Sequence, residues 1–382
     1  MQNFIYRDLD AAQSAKAGRF ELRLCTDCGF AWNRAFDPNL MEYGKGYDND
    51  VPSEVMTAYY EHIARYLYDT YDLRSGLVVD VGCGKGTLLK IMTRLYPALN
   101  CLGIDPAYDG ELQPAPGLLF KREFFDAEQL QERPALVICR HVAEHIPQPV
   151  GFFAAIAQGL KSYPGTPLFF EVPDAGWIFR QGAFWDFCYE HCNYFSSGSL
   201  ARAVQDAGFE YRSTRRGFGD QYLWLEARTP LTSLGARAGL PLSPQEGAAF
   251  QQALVAYGRS EAKLFAKANE ALTRHHKAGQ RIVLWGMATK GVVYSQLMDD
   301  TNTLIAHCVD KNPNKQGCFV PLSGHLIEAP ESLAAAGKNP LLIVVMNPNY
   351  VLEIQLQCAA MGLDAEFMDA NGHVLGNLSQ GI

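Results

Sequence analysis

The stretch "FWDFCYEHCNYFS", residues 184–196, sets Cys188, Tyr189, Glu190, His191, Cys192, Asn193 and Tyr194 side by side. A polar group buried in such a run needs its own hydrogen-bond partner. Three chemistries therefore compete: a core strand with polar passengers, a metal site, or an acid–base centre. Histidine has the unperturbed pKa closest to neutrality, which suits His191 to acid–base work. Glu190 could orient the imidazole, take a proton itself, or bind a substrate hydroxyl, while Tyr189 or Tyr194 could donate a hydrogen bond to a developing negative charge. Neighbours on a strand face opposite ways, so Glu190 and His191 share a pocket only where the backbone turns. His191, Cys188 and Cys192 lack the spacing of a metal site. A second cluster, "RHVAEHIPQP", carries Arg140, His141, Glu144 and His145. His145 is a second acid–base candidate there, and equally a helix cap or a neighbour of Arg140 and His141 along a cofactor site.

A third motif, "VVDVGCGKGTLL" (78–89), puts Gly82, Gly84 and Gly86 at a strand-to-helix turn. Glycines there admit positive φ and let a ligand approach the backbone. Thr87 stands where a dinucleotide fingerprint wants its third glycine. Asp80, just before the loop, would repel a pyrophosphate and suits an ammonium group. Asp105, nineteen residues after Gly86 in "LGIDP", can accept both hydroxyls of a ribose. Asp126, in "FFDAEQL", would end the third strand and could accept from an adenine amino group. Ammonium, ribose and adenine without phosphate describe S-adenosylmethionine, and the loop with Asp105 resembles the class I S-adenosylmethionine-dependent methyltransferases. "GMATKG" (286–291) also follows a strand but lacks the GxGxxG spacing, so no second nucleotide cofactor is implied.

The elements that must hold these residues are an α/β alternation. "LVVDVG", "NCLGID", "ALVICRH" and "PLFFEVP" are short apolar runs, as parallel strands covered on both faces require. "TLLKIMTRLY" and "VGFFAAIAQGL" read as helices between them, and "PSEVMTAYYEHIARYLYDTYDL" as an amphipathic helix ahead of the first strand. The result is a doubly wound, Rossmann-like sheet. "TPLTSLGARAGLPLSP" (229–244) marks a boundary. Ser243, Pro244 and Glu246 then form a capping-box pattern opening a long helix to about Lys277. After it "RIVLWG", "LIAHCVD" and "LLIVVMN" restart the alternation. The expected division is 1–52, a small N-terminal lobe; 53–230, the methyltransferase domain; and 231–382, a second α/β domain.

A chain of 382 residues suits two or three domains. The net charge of −8 argues against broad affinity for nucleic acid or anionic membrane. No apolar run approaches the ~20 residues needed to span a bilayer, and "MQNFIYRDLDAAQSAKAG" lacks the pattern of a secretory signal. Ten cysteines then read as reduced thiols in the cytoplasm. A small-molecule substrate is expected, with neither nucleic acid nor membrane as partner; the oligomeric state is left open.

Further along, "EVPD…YEHCNYFSSGSL…AGFE" together with "GMATKG", "VDKNPNKQG", "GHLIEAPESL" and "MNPNYVLEI" resembles the sugar C-methyltransferases that act on nucleotide-linked keto-deoxysugars. That resemblance implies a zinc-binding-like N-terminal lobe, a class I methyltransferase domain and a C-terminal Rossmann-like substrate domain. It implies proton removal next to a ketone to give an enolate, with Tyr194, Lys290 and Asp310 on the substrate side. Methylation of oxygen or nitrogen on another small metabolite is the alternative. Three features depart from the family pattern. Only Cys25 and Cys28 remain of two CxxC pairs, and no other Cys or His precedes His62. Zinc wants four ligands, so it is not expected. Cys188 stands where the family has a tyrosine, and "GFGDQYLWLEA" replaces a small Gly-Gly-Ser-type stretch.

Overall fold

The computed structural model describes residues 2–41, 53–126, 130, 132–231, 244–335 and 340–376. The chain opens with a short helix α1 (Leu9–Gln13) and a hairpin of β1 (Leu22–Leu24) and β2 (Ala31–Asn33). Then come α2 (Glu54–Thr70), β3 (Gly76–Val81), α3 (Thr87–Leu95), β4 (Leu99–Ile104), β5 (Leu118–Lys121), β6 (Pro134–Arg140), α4 (Pro149–Gly159), β7 (Pro167–Pro173) and α5 (Ala175–Gln181). They are followed by β8 (Asn193–Tyr194), α6 (Ser197–Asp206), β9 (Glu210–Gly217) and β10 (Tyr222–Arg228). The last part holds α7 (Pro244–Lys277), β11 (Arg281–Trp285), α8 (Thr289–Met298), β12 (Ile305–Val309), β13 (Ile327–Glu328), β14 (Leu341–Val345), α9 (Val351–Ala360), β15 (Ala365–Asp369) and β16 (Val374–Leu375).

The central sheet runs β5-β4-β3-β6-β7-β10-β9, with β10 antiparallel to both of its neighbours and the other pairs parallel. Its apolar runs are divided between two faces. Val78, Cys101, Leu136 and Ile138 pack under α2 and α3. Val79, Leu102, Val137 and Cys139 pack under α4 and α6. Burial on both faces explains why these strands lack alternation. Ser53 caps α2, its Oγ accepting from the N–H of Met56 at 3.3 Å. The order turns at β3, between β4 and β6, so a crevice opens at the carboxyl ends there.

The C-terminal sheet runs β13-β12-β11-β14-β15-β16 and is parallel except for β16. The capping box expected at Ser243 lies outside the described residues, while the long helix is α7 itself. One apolar core joins the two sheets. Phe179, Phe184 and Tyr194 meet Phe250, Tyr257 and Leu272 of α7, and beyond them Ile282, Leu284 and Val344. Polar contacts add to this join: Gln221 and Asn347 exchange amide hydrogen bonds at 2.8 and 3.0 Å, and Ser53 Oγ donates to Glu353 at 2.7 Å.

Two connections cross the expected boundaries. β8 pairs with β2, so Asn193–Tyr194 completes the N-terminal sheet. The first residues run along the C-terminal part: the N–H of Phe319 donates to Tyr6 O at 2.7 Å, and that of Leu322 to Ala12 O at 2.8 Å. Among the described residues no helix is long and apolar enough to cross a membrane.

Candidate active site

The cofactor end forms where β3 meets α3. Gly86 has φ +72°, and a Cβ there would stand 2.3 Å from the Phe120 ring; one on Gly82 would stand 2.3 Å from Val142. Asp80 is buried, and its Oδ1 has no hydrogen-bond partner among the described residues. Burial raises its pKa to about 7, against the pull of Arg140 and with a small push from Asp105. A carboxyl so placed gains by meeting a cation. Asp105 accepts from the N–H of Gly84 at 2.8 Å and of Ala107 at 2.7 Å through different oxygens. Each oxygen keeps a second lone pair for a ribose hydroxyl. These residues fit S-adenosylmethionine: Asp80 would take its ammonium and Asp105 its ribose. Asp126 departs from expectation: the third strand ends at Lys121, and Asp126 lies five residues beyond it, exposed.

Arg140 and His141, at the end of β6, converge on Glu171 of β7. Arg140 Nε bonds Glu171, and its guanidinium lies 4.8 Å over the Tyr60 ring. Tyr59 Oη and Trp224 Nε1 also donate to Glu171. Burial opposes the charge on Glu171, but Arg140 and His141 outweigh it and hold the carboxyl at about 2. Burial likewise opposes protonation of His141, and Glu171 with Glu144 overcomes it, raising His141 to about 9. Arg140 thus serves a buried ion pair, and His141 is an imidazolium at the mouth of the cofactor crevice.

Beyond this crevice lies a cavity of about 280 Å³ between the central sheet and the C-terminal sheet. His141, Glu144, His145, Glu190, His191, Lys290 and Asp310 line it. The backbone does turn at Tyr189–Glu190, closed by the N–H of His191 on Cys188 O at 3.2 Å, and this brings both neighbours into one cavity. Glu190 accepts from the N–H of Asn3 at 2.9 Å and from its Nδ2 at 3.4 Å. His145 Nδ1 lies 2.9 Å from the Glu190 carbonyl. A carbonyl only accepts, so Nδ1 carries the proton. The rings of His145 and His191 meet edge to face, with centroids 4.8 Å apart.

The expectation of a near-neutral His191 does not hold. Burial, and then the neighbouring His145, push its pKa down to about 3. Glu144 is buried beside it, and neither carboxylate oxygen accepts a hydrogen bond among the described residues. His141 Nδ1 stands 3.3 Å from Glu144. Burial disfavours the Glu144 carboxylate, yet His141 and His145 together hold its pKa below the usual value. Glu144, His145 and His191 offer donor atoms within 4.8 Å of one another, a set that could also hold a cation.

Two of the tyrosines fall outside the cavity. Tyr189 points to the N-terminal lobe, where its Oη accepts from the N–H of Asp37 at 2.7 Å and its ring packs on Phe36. Tyr194 sits in the aromatic core and donates to Cys188 O at 3.1 Å. Pairing of β8 with β2 turns Tyr194 away, and the contacts with Asp37 and Phe36 hold Tyr189 away, correcting their assignment to catalysis and substrate binding. Lys290 lines the cavity, ion-paired to Asp186 and 5.4 Å over the Trp177 ring. Asp310 accepts from the N–H groups of Met287 and Asn312 at 2.7 and 2.8 Å. Asn3 was not legible in the sequence as a site residue, because no local pattern links it to the site; Lys311, Gln221 and Asn347 lie in the stretches quoted above but were not singled out there. In the N-terminal hairpin Cys25 and Cys28 are free, partly exposed thiols. Backbone N–H groups of Cys28 and Asp27 lower the pKa of Cys25, while burial raises that of Cys28. Among the described residues no third ligand joins them in a metal-sized cluster.

A seven-stranded sheet of this order, with a glycine turn after β3 and carboxyls at the ends of β3 and β4, defines a class I methyltransferase fold. Residues 53–214 match the family described as methyltransferase domain, and residues 246–368 match the C-methyltransferase C-terminal domain. The protein is an S-adenosylmethionine-dependent methyltransferase carrying a C-methyltransferase C-terminal domain. Among solved structures, it is similar to magnesium protoporphyrin IX methyltransferase from Synechocystis, at 19% identity over 46% of this chain and 84% of that one, with a TM-score of 0.36. It is also similar to a 1,6-didemethyltoxoflavin-N1-methyltransferase from Burkholderia thailandensis, at 16% identity over 55% and 99%, again with a TM-score of 0.36. At these scores neither likeness bears on the substrate. No curated protein matches the chain.

Proposed function

We propose that the protein methylates carbon, next to the ketone of a nucleotide-linked keto-deoxysugar, by way of an enolate. The observation that supports this best is the cluster of Glu144, His145, Glu190 and His191 in one cavity beside the cofactor crevice. A carbon must lose a proton before it can take a methyl group, whereas a hydroxyl or amine already has a lone pair. S-adenosylmethionine, held through Asp80, the glycine turn and Asp105, supplies an electrophilic methyl group when bound; the adenine contact at Asp126 remains part of this reading.

His191 takes the proton. Its lowered pKa keeps it neutral, and so able to accept, throughout the working pH range, at the cost of basicity. Glu144 compensates: a buried carboxylate with unused lone pairs stabilises an imidazolium formed on His191 or His145. The His141 imidazolium supplies positive charge to a developing enolate oxygen. Glu190, held by Asn3, orients the substrate or takes the proton in place of His191. Lys290 and Lys311 receive the diphosphate, each exchanging its present carboxylate partner, Asp186 or Glu353, for phosphate oxygens.

One observation favours the second reading, an O- or N-methyltransferase of another metabolite. Among the described cavity residues five carboxylates (Glu144, Asp186, Glu190, Asp310, Glu353) face two lysines and the His141 imidazolium. That balance suits a substrate without a diphosphate. Transfer from S-adenosylmethionine labelled with carbon-13 in its methyl group separates the two. A carbon-bonded methyl resonance on a keto-sugar nucleotide is expected, and a methoxy or N-methyl product would overturn the proposal.

A further inference from the structure

Asn3 joins three distant parts of the chain. Its backbone N–H donates to Glu190 Oε1 at 2.9 Å, and its Nδ2 lies 3.4 Å from Oε2. The same Nδ2 donates to Thr289 Oγ1, the first residue of α8, at 2.6 Å. On its other side Lys315 Nζ donates to Asn3 Oδ1 at 3.3 Å and to Met287 O at 3.2 Å. Asn3 is only 4% exposed and lines the cavity. Its amide is therefore used at both ends, as a donor toward Glu190 and Thr289 and as an acceptor for a buried ammonium.

The segment that carries Asn3 is fixed to the C-terminal part. The N–H of Phe319 bonds Tyr6 O, and that of Leu322 bonds Ala12 O. Glu190 thus reaches the C-terminal sheet through Asn3, although it belongs to the central part of the chain. Thr289 adjoins Lys290, a candidate substrate contact in the same cavity. We propose that Asn3 is a positioning residue for Glu190. Thr289 and Lys315 fix the asparagine, and its two donors fix the carboxylate, so that seating of substrate against Thr289 and Lys290 sets the orientation of the acid. The proposal rests on the acid–base reading of Glu190 and His191.

The test uses the full chain and a nucleotide-linked 4-keto-deoxysugar as probe, with turnover, exchange of its α-hydrogen in D2O, cofactor Kd and Tm read on each variant. Asn3→Ala keeps the backbone N–H on Glu190 but removes the Nδ2 donor and the ties to Thr289 and Lys315 that place the segment, and should lower kcat and exchange together by about ten- to a hundred-fold, the scale of a small misplacement at a reacting group. Cofactor Kd should stay unchanged. Asn3→Asp keeps the size and the acceptor for Lys315 but sets a carboxylate against Glu190, so it should be worse than Asn3→Ala; a space-filling role demands the reverse order. In a Glu190→Gln background, Asn3→Ala should cost little more. Wild-type kcat in Asn3→Ala, or a loss that adds in full to that of Glu190→Gln, overturns the proposal alone. Full activity in Glu190→Gln removes Glu190 from the acid–base centre and overturns the proposal with it; full activity in both Glu190→Gln and His191→Asn overturns the acid–base reading itself.

Discussion

Cofactor binding should depend on pH through Asp80. This carboxyl is buried at the end of β3, has an oxygen without a hydrogen-bond donor, and is raised to about 7 chiefly by burial. The methionine ammonium stays protonated below about pH 7.7 and needs the ionised form of Asp80. Below about pH 7 binding must therefore expel a proton. With one such group, apparent affinity scales with its ionised fraction, so Kd should rise about fivefold from pH 7 to 6 and about fiftyfold from pH 7 to 5. Titration calorimetry reads both the affinity and the protons released, through the dependence of heat on buffer, with close to one proton per cofactor expected at pH 5. Stability has the opposite slope. A carboxyl raised on folding stabilises the ligand-free protein below its unfolded pKa, and that contribution is lost as pH rises through about 7. The full loss is on the order of 4 kcal/mol for a shift of about three pK units, so cofactor should raise Tm most near neutral pH. Asp80→Asn should flatten both profiles. A Kd constant from pH 5 to 7 with no proton release would refute the assignment of Asp80 to the ammonium.

Asp105→Ala should weaken S-adenosylmethionine by ~1.5–3 kcal/mol, the scale of hydrogen bonds to a charged group, and unchanged affinity in a folded variant would contradict the ribose assignment. Tyr189→Phe should leave kcat alone and cost about 1 kcal/mol of stability, because its Oη only accepts from Asp37; a tenfold loss of kcat at unchanged Tm would return Tyr189 to the chemistry. Elemental analysis of protein purified without chelator should find well under one zinc per chain. A full equivalent that disappears in Cys25→Ser would show ligands arriving from beyond Cys25 and Cys28.

The cofactor half was legible because its signals are local. A strand, a glycine turn and a helix lie within residues 76–95, and Asp105 follows directly after β4. The parallel strands could be read from apolar runs because both faces of the sheet are covered. The substrate half was legible only as a segment. That Glu190 and His191 share a cavity depends on a turn at Tyr189–Glu190, and Tyr194 is turned away by the pairing of β8 with β2, some 160 residues distant in sequence. No motif announces such a pairing. The low pKa of His191 is likewise a property of burial among His145 and His141, not of its own neighbours in sequence. Asn3 reaches Glu190 across 187 positions, a contact that only the folded chain creates.

The central claim, that His191 takes a proton from carbon, is tested most directly by exchange of the substrate's α-hydrogen in D2O without methyl transfer. Wild-type protein should exchange it, at a rate with no acid limb from His191 between pH 5 and 8, since that imidazole stays neutral down to about 3. His191→Asn should slow the exchange by about 10²–10⁴-fold, the usual contribution of a general base, with cofactor affinity unchanged. Undiminished exchange in His191→Asn, together with its loss in Glu190→Gln, would contradict the account and move the base to the carboxylate.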